Sequence, residues 1–85
     1  MVVFVIYVWF VGFHLLYVRF EYGVGGDVDV AGLVELEGVF APLRDPARFA
    51  EVSVHPELRT VCWPNGADLD PDVLYARVSG KPIRL

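Results

Sequence analysis

Apolar and polar positions alternate clearly from Leu15 onward. Leu16, Val18, Phe20 and Tyr22 fall on one face and Tyr17, Arg19 and Glu21 on the other, the period of two that marks a half-buried strand. Gly23, Gly25 and Gly26 then provide a flexible reversal. After it Val28 and Val30 alternate with Asp27 and Asp29, predicting a second strand that returns antiparallel with both aspartates facing solvent. Residues 33–38 are expected to form one helical turn that Gly38 ends.

The second half is punctuated by Asp45-Pro46 and Asp70-Pro71. Each pair reads as an N-cap aspartate followed by proline at the first helical position. The first of these helices, from Pro46 to about Ala50, can be little more than a turn, because Glu51-Val52-Ser53-Val54 resumes alternation. His55-Pro56-Glu57 breaks that strand, and Thr60-Val61-Cys62-Trp63 is its expected hairpin partner. Pro64-Asn65-Gly66 reads as a tight turn. The second helix is expected from Pro71 to about Val78, with Leu74 and Val78 toward the core and Asp72, Arg77 and Tyr75 on its polar side. Residues 79–85 form a Gly- and Pro-containing tail. The pattern predicts one α+β domain over residues 1–85: a small antiparallel sheet of about five strands in hairpins with one or two short helices. Its parts are an N-terminal hairpin (2–30), a helix-hairpin-helix part (46–78) and the tail.

Residues 2–18 depart from this pattern, since they contain no charge and only Gly12 and His14 as interruptions. This run of 17 sits at the short end of the range for a membrane-spanning helix. Seven of its residues are Val or Ile, and aromatics are scattered through the run instead of collecting at its ends. Gly12-Phe13-His14 supplies a turn, so a buried hairpin is the preferred reading and a membrane anchor the weaker one. No basic residue precedes the run and no small-residue cleavage site follows it, so a signal peptide is not expected either.

Composition sharpens this. Residues 1–20 hold 17 of the 47 residues in the set Ala, Val, Ile, Leu, Met, Phe, Trp, Tyr and Cys, leaving an ordinary 30 among the other 65. A core of 85 residues is small, and the front offers more apolar surface than it should absorb. Residues 2–13 are therefore expected to support association, either with another protein or in a homodimer. A single cysteine, Cys62, provides no disulfide framework and points to the cytoplasm. Net charge −4 with one lysine argues against direct nucleic-acid binding.

Candidate chemistry is sparse. Asp68, Asp70 and Asp72 have the spacing that opens a calcium loop, but Val73 stands where that loop needs glycine and Ser79 where it needs glutamate. Helix capping explains them better. Gly23, Gly25 and Gly26 lead into aspartates instead of a helix N-terminus, which disfavours phosphate. Cys62 and His55 face each other across the expected hairpin without any cation to activate the thiol, and His14 is read as a turn residue. No catalytic residue, metal or cofactor is expected.

The thirteen residues from Trp63 to Tyr75, Trp63-Pro64-Asn65-Gly66-Ala67-Asp68-Leu69-Asp70-Pro71-Asp72-Val73-Leu74-Tyr75, join strand, turn and capped helix. They closely resemble the hallmark of a family of small bacterial proteins, domain of unknown function 2442. Gly38-Val39-Phe40-Ala41-Pro42-Leu43-Arg44-Asp45-Pro46 with Phe49, and Leu15 to Phe20 leading through Gly23 to Val28-Asp29, also resemble that family. The resemblance implies a compact α+β domain without an established enzymatic activity. It also implies a role like that of the smaller, antitoxin-like or accessory partner in toxin–antitoxin-type gene pairs. Some such proteins carry an added helix-turn-helix; these 85 residues contain none, so DNA binding by that route is not expected. Tyr22 and Arg59 depart from the pattern, which favours aspartate before Gly23 and glycine before Thr60, and the front is greasier than usual. Trp63, Pro64, Asn65, Gly66, Asp68, Asp70 and Tyr75 are the signature residues. A ligand pocket or small active site formed by Trp63, Asn65, Asp68 and Tyr75 is the competing reading; turn, cap and core roles account for the same residues.

Overall fold

The computed structural model of the chain describes residues 3–21 and 23–80. The apolar front folds as two strands, β1 (Val5–Gly12) and β2 (Leu15–Phe20), and β3 (Gly25–Asp29) completes a three-stranded antiparallel sheet in the order β1-β2-β3. Phe13 and His14 turn the chain between β1 and β2, with Phe13 at φ 49°. Among the described residues no helix is long and apolar enough to cross a membrane.

The sheet's inner face follows the predicted alternation: Leu16, Val18, Phe20 and Val28 are buried, while Arg19, Asp27 and Asp29 are exposed. Tyr22, expected on that inner face, lies outside the described residues, as do residues 1–2 and 81–85. In β1 the alternation is interrupted. Register shifts between Val5 and Tyr7 and between Phe10 and Gly12 place Val5 opposite Phe20, Val8 opposite Val18 and Phe10 opposite Leu16. These bulges each give β1 an extra residue, so Ile6 and Val11 join Tyr7 and Trp9 in facing outward.

Three expectations for the middle of the chain are corrected. Gly25 and Gly26 belong to β3, pairing with Arg19 and Val18, and are not part of the reversal. The reason is steric: a Cβ on Gly25 would stand 2.6 Å from the Tyr17 hydroxyl oxygen, and one on Gly26 3.1 Å from Val78 Cγ1. The single helical turn is α1 (Val30–Leu33), not residues 33–38, because Asp29 Oδ1 accepts from the Ala31 amide at 3.1 Å and starts the helix where the strand ends. Val30 is accordingly helical. Gly38 opens a 3₁₀ helix, Gly38–Arg44, instead of ending a helix.

Both Asp-Pro caps form as predicted. Asp45 Oδ1 accepts from Ala47 N at 3.0 Å to start α2 (Pro46–Phe49), and Asp70 Oδ1 accepts from Asp72 N at 2.9 Å to start α3 (Pro71–Ser79). The expected hairpin between them is present but short, with β4 (Ser53–Val54) antiparallel to β5 (Val61–Cys62). Glu51 and Val52 cannot extend it because their amides bond back to Arg48 and Phe49. Ser79, assigned to the tail, is the last residue of α3.

One cluster of buried side chains draws on both halves, from Val3, Val5 and the inner sheet face to Leu43, Phe49, Val61, Trp63, Ala67, Leu69 and Leu74. Phe49 is its hinge point, with Phe10 at 6.0 Å, His14 at 5.1 Å and Trp63 at 5.5 Å between ring centroids. α3 packs across β3, with Leu74 buried and Val78 half-buried against the core as predicted. Tyr75 departs from its predicted polar side: it is half-buried and lies edge-on to Phe20 at 5.2 Å, which makes its ring part of the packing.

Candidate functional site

The signature segment is built around one turn. Trp63 N donates to Ala67 O at 2.9 Å and Gly66 N to Trp63 O at 3.1 Å, closing the loop over Pro64 and Asn65. Gly66 takes φ +90°, a conformation a side chain would strain. Asn65 braces the turn from both ends: its Oδ1 accepts from Ala67 N at 3.2 Å, and its Nδ2 donates to Val39 O at 2.8 Å in the 3₁₀ helix. Trp63 is buried, and its indole Nε1 donates to Phe49 O at 2.9 Å. The turn is therefore a clamp that fastens the end of β5 onto α2 and the 3₁₀ helix.

Beyond the turn the signature side chains diverge. Asp68 is exposed and its backbone bridges to Cys62. Asp70 is occupied in capping α3, and Tyr75 lies against Phe20. Thr60, which no signature reading included, is buried and donates its hydroxyl to Leu69 O at 2.6 Å, holding the stretch between the turn and α3 against β5. Among the described residues no group of three His, Cys, Asp or Glu side chains has a metal-binding arrangement.

The two histidines also have specific partners. His55 Nδ1 accepts from the amides of Glu57 and Leu58 at 3.1 and 3.0 Å, which shapes the β4–β5 connection. Cys62 Sγ lies 3.7 Å from Ser53 Oγ. His14 Nε2 is 2.8 Å from Leu43 O, so the histidine read as a turn residue also ties the β1–β2 turn to the 3₁₀ helix. Beside it is an open concavity of about 480 Å³ lined by Gly12, Phe13, His14, Leu15, Asp29 and Ala31.

The most unusual surface lies elsewhere. On β1, Ile6 is 56%, Tyr7 44%, Trp9 61% and Val11 49% exposed, and Phe13 at the adjoining hairpin tip is 82% exposed. Tyr7 and Trp9 stand side by side with centroids 6.5 Å apart and planes within 9°, and Tyr17 meets Tyr7 edge-on at 6.4 Å. Isolated exposed apolar residues are ordinary on protein surfaces, whereas five along one strand and the turn that follows it are not. The expectation that residues 2–13 carry surplus apolar surface thus acquires particular residues.

A three-stranded antiparallel sheet, a short second hairpin and capped helices around one core define a small α+β domain. Within that class, residues 5–80 match the model of the family described as protein of unknown function DUF2442, and the chain belongs to that family. No curated protein and no solved structure matches the chain.

Proposed function

We propose that this is a non-enzymatic protein-interaction domain, the antitoxin-like or accessory member of a bacterial toxin–antitoxin-type gene pair, acting in the cytoplasm on the product of an adjacent gene. The observation that carries the reading is the apolar row Ile6, Tyr7, Trp9, Val11 and Phe13, which stays exposed although the core beneath it is already filled by Val5, Val8 and Phe10 from the same strand. Exposed apolar surface of this extent favours association, because each Å² removed from water contributes about 25 cal/mol. Aromatic side chains at the centre of such a surface are typical anchors of protein interfaces.

The signature segment has a supporting part in this reading. Its clamp fixes α2, and Phe49 of α2 supports the underside of the hairpin through Phe10 and His14. A rigid support reduces the ordering cost when a partner binds. The test is co-expression with the adjacent gene product, purification of the pair and calorimetric titration of the separated proteins. A complex is expected, weakened at least tenfold by Phe13→Ser, together with relief of any growth arrest that the adjacent product causes alone. No complex and no effect on growth would remove the proposal.

A further inference from the structure

We propose that the partner engages the outer face of the β1-β2-β3 sheet through a cationic segment, its arginine or lysine side chains lying over Trp9 and Tyr17 and reaching Asp27 and Asp29. This rests on the interaction-domain reading and gives the partner a definite chemistry.

The register sorts the outward side chains into rows across the sheet. Tyr7, Arg19 and Gly25 form the first, Trp9, Tyr17 and Asp27 the second, and Leu15 and Asp29 the third. Ile6 and Val11, displaced outward by the two bulges, border these rows on β1. A Cβ on Gly25 would stand 2.6 Å from the Tyr17 hydroxyl oxygen, so Tyr17 leans over the first row and leaves Asp27 exposed beside it. Past the third row opens the concavity of about 480 Å³ to which Phe13, Leu15 and Asp29 contribute.

Charge selects the occupant. Asp27 and Asp29 are exposed on this face, and Glu21, two positions past Arg19, is exposed as well, against the single cation Arg19. Among the described residues none of these three carboxylates is in an ion pair. Asp29 accepts from the Ala31 amide, but that donor is neutral and leaves the carboxylate its charge. The net charge of −4 on the whole chain reinforces this local field. Carboxylates set against carboxylates hold two copies of this face apart, and the same charges repel the phosphates of nucleic acids and anionic lipids.

The aromatic rings favour a cation on their own account. A guanidinium or ammonium group within about 6 Å of a ring centre is attracted by the ring, and a carboxylate beside it adds a charge-assisted hydrogen bond. Trp9, Tyr17 and Asp27 share one row, where cross-strand neighbours lie about 5 Å apart, so one long side chain meets both kinds of group. Arginine suits this best, because its plane stacks on a ring while its N–H fork meets the carboxylate. In the first row Arg19 stands beside Tyr7 and repels a cation. The positive side chains are thereby directed to the second and third rows and the concavity, with Val11, Leu15 and Phe13 left for apolar side chains between them.

The test is calorimetric titration of the full chain with the adjacent gene product, using charge variants at the exposed Asp27 and Arg19. Asp27→Lys is expected to weaken the complex about tenfold or more, and Arg19→Glu to tighten it about threefold or more, a gain that a misfolded protein could not show. Raising sodium chloride from about 50 to 500 mM is expected to weaken the wild-type complex. If no complex forms, the probe is a capped pentapeptide of alternating arginine and valine, followed by the two indole N–H resonances. The Trp9 resonance is expected to shift while that of the buried Trp63 stays in place, and a peptide with glutamate in place of arginine is expected to move neither. A complex that either variant fails to change in the stated direction would overturn the proposal and spare the functional reading. A Trp9 shift with the arginine peptide but no complex would keep the cationic preference and remove the functional reading; no complex and no shift would remove both.

Discussion

Trp9 and Trp63 sit in the two halves of one small domain and meet opposite environments. Trp63 is 3% exposed, bonded through its indole N–H to Phe49 O and packed on the Phe49 ring. Trp9 is 61% exposed on β1, with Tyr7 beside it. The back half of the chain assigns nearly every signature side chain to a turn, a cap or the core. The front spends its inward residues on the core and still presents a second apolar set outward. The outward set on β1 is therefore distinct from the residues that hold the fold, and substitutions can test the two apart.

The sharpest break in that comparison is Trp63→Ala against Trp9→Ala. Removing Trp63 leaves a large cavity and takes the indole donor from the Phe49 carbonyl, which keeps only the 3.3 Å bond from the Val52 amide, so a loss of about 3–5 kcal/mol is expected. A domain of this size has only about 4–13 kcal/mol in total, so the variant should be largely unfolded by mild denaturant. Trp9→Ala should change monomer stability by less than about 1 kcal/mol, since most of its surface is already in water. Urea unfolding at low micromolar concentration, followed by the fluorescence of the tryptophan that is left, compares the two directly. Equal losses would show that the front is as structural as the back.

Asn65→Ala probes the clamp with a smaller expected effect. It removes the bond from Ala67 N within the turn and the bond to Val39 O, which ties the turn to a segment 26 residues away. A cost of about 1–2 kcal/mol is expected from two partly exposed hydrogen bonds. Asp70→Ala should follow at about 1 kcal/mol, the usual cost of losing an N-cap aspartate. Hydrogen exchange would then localise each loss: Asn65→Ala should loosen the amides of the 3₁₀ helix, and Asp70→Ala the first turn of α3.

The back half was the more legible part of the sequence, and the reason is physical. Caps at Asp45 and Asp70 and the turn at Asn65-Gly66 depend on neighbours within two residues, so local chemistry reveals them. The recipients of the long bonds, Phe49 O and Val39 O, are set by tertiary packing and leave no local mark. Asp29 carries two signals at once, the last polar position of a strand and the cap of a helix, and alternation alone conceals the second. Gly25 and Gly26 read as a reversal because the need for no side chain there arises from Tyr17 and Val78. In β1, the inward residues Val5, Val8 and Phe10 are not spaced by two throughout, because a bulge falls after Val5. That broken period hid the outward set, Tyr7 and Trp9, so the apolar surplus could be counted before it could be placed.

Arg59→Gly gives the smallest expected change and the most specific one. Arg59 holds φ 53° in the β4–β5 connection, at the position where the family pattern favours glycine. Its guanidinium lies over the Phe4 ring at 5.1 Å, and its carbonyl accepts from Val5 N, so it links the second hairpin to the start of β1. Glycine would relieve about 1–2 kcal/mol of left-handed backbone strain. It would lose about 0.5–1 kcal/mol of exposed cation–π attraction and a similar amount through the greater freedom of the unfolded chain. These terms nearly cancel, and the net change should stay below about 1 kcal/mol. Arg59→Ala loses the same attraction and keeps the strain, so it should be the less stable of the two variants in parallel urea titrations. If alanine equals or exceeds glycine, backbone strain is not what the arginine imposes, and the freedom that glycine gives the unfolded chain outweighs whatever strain it relieves.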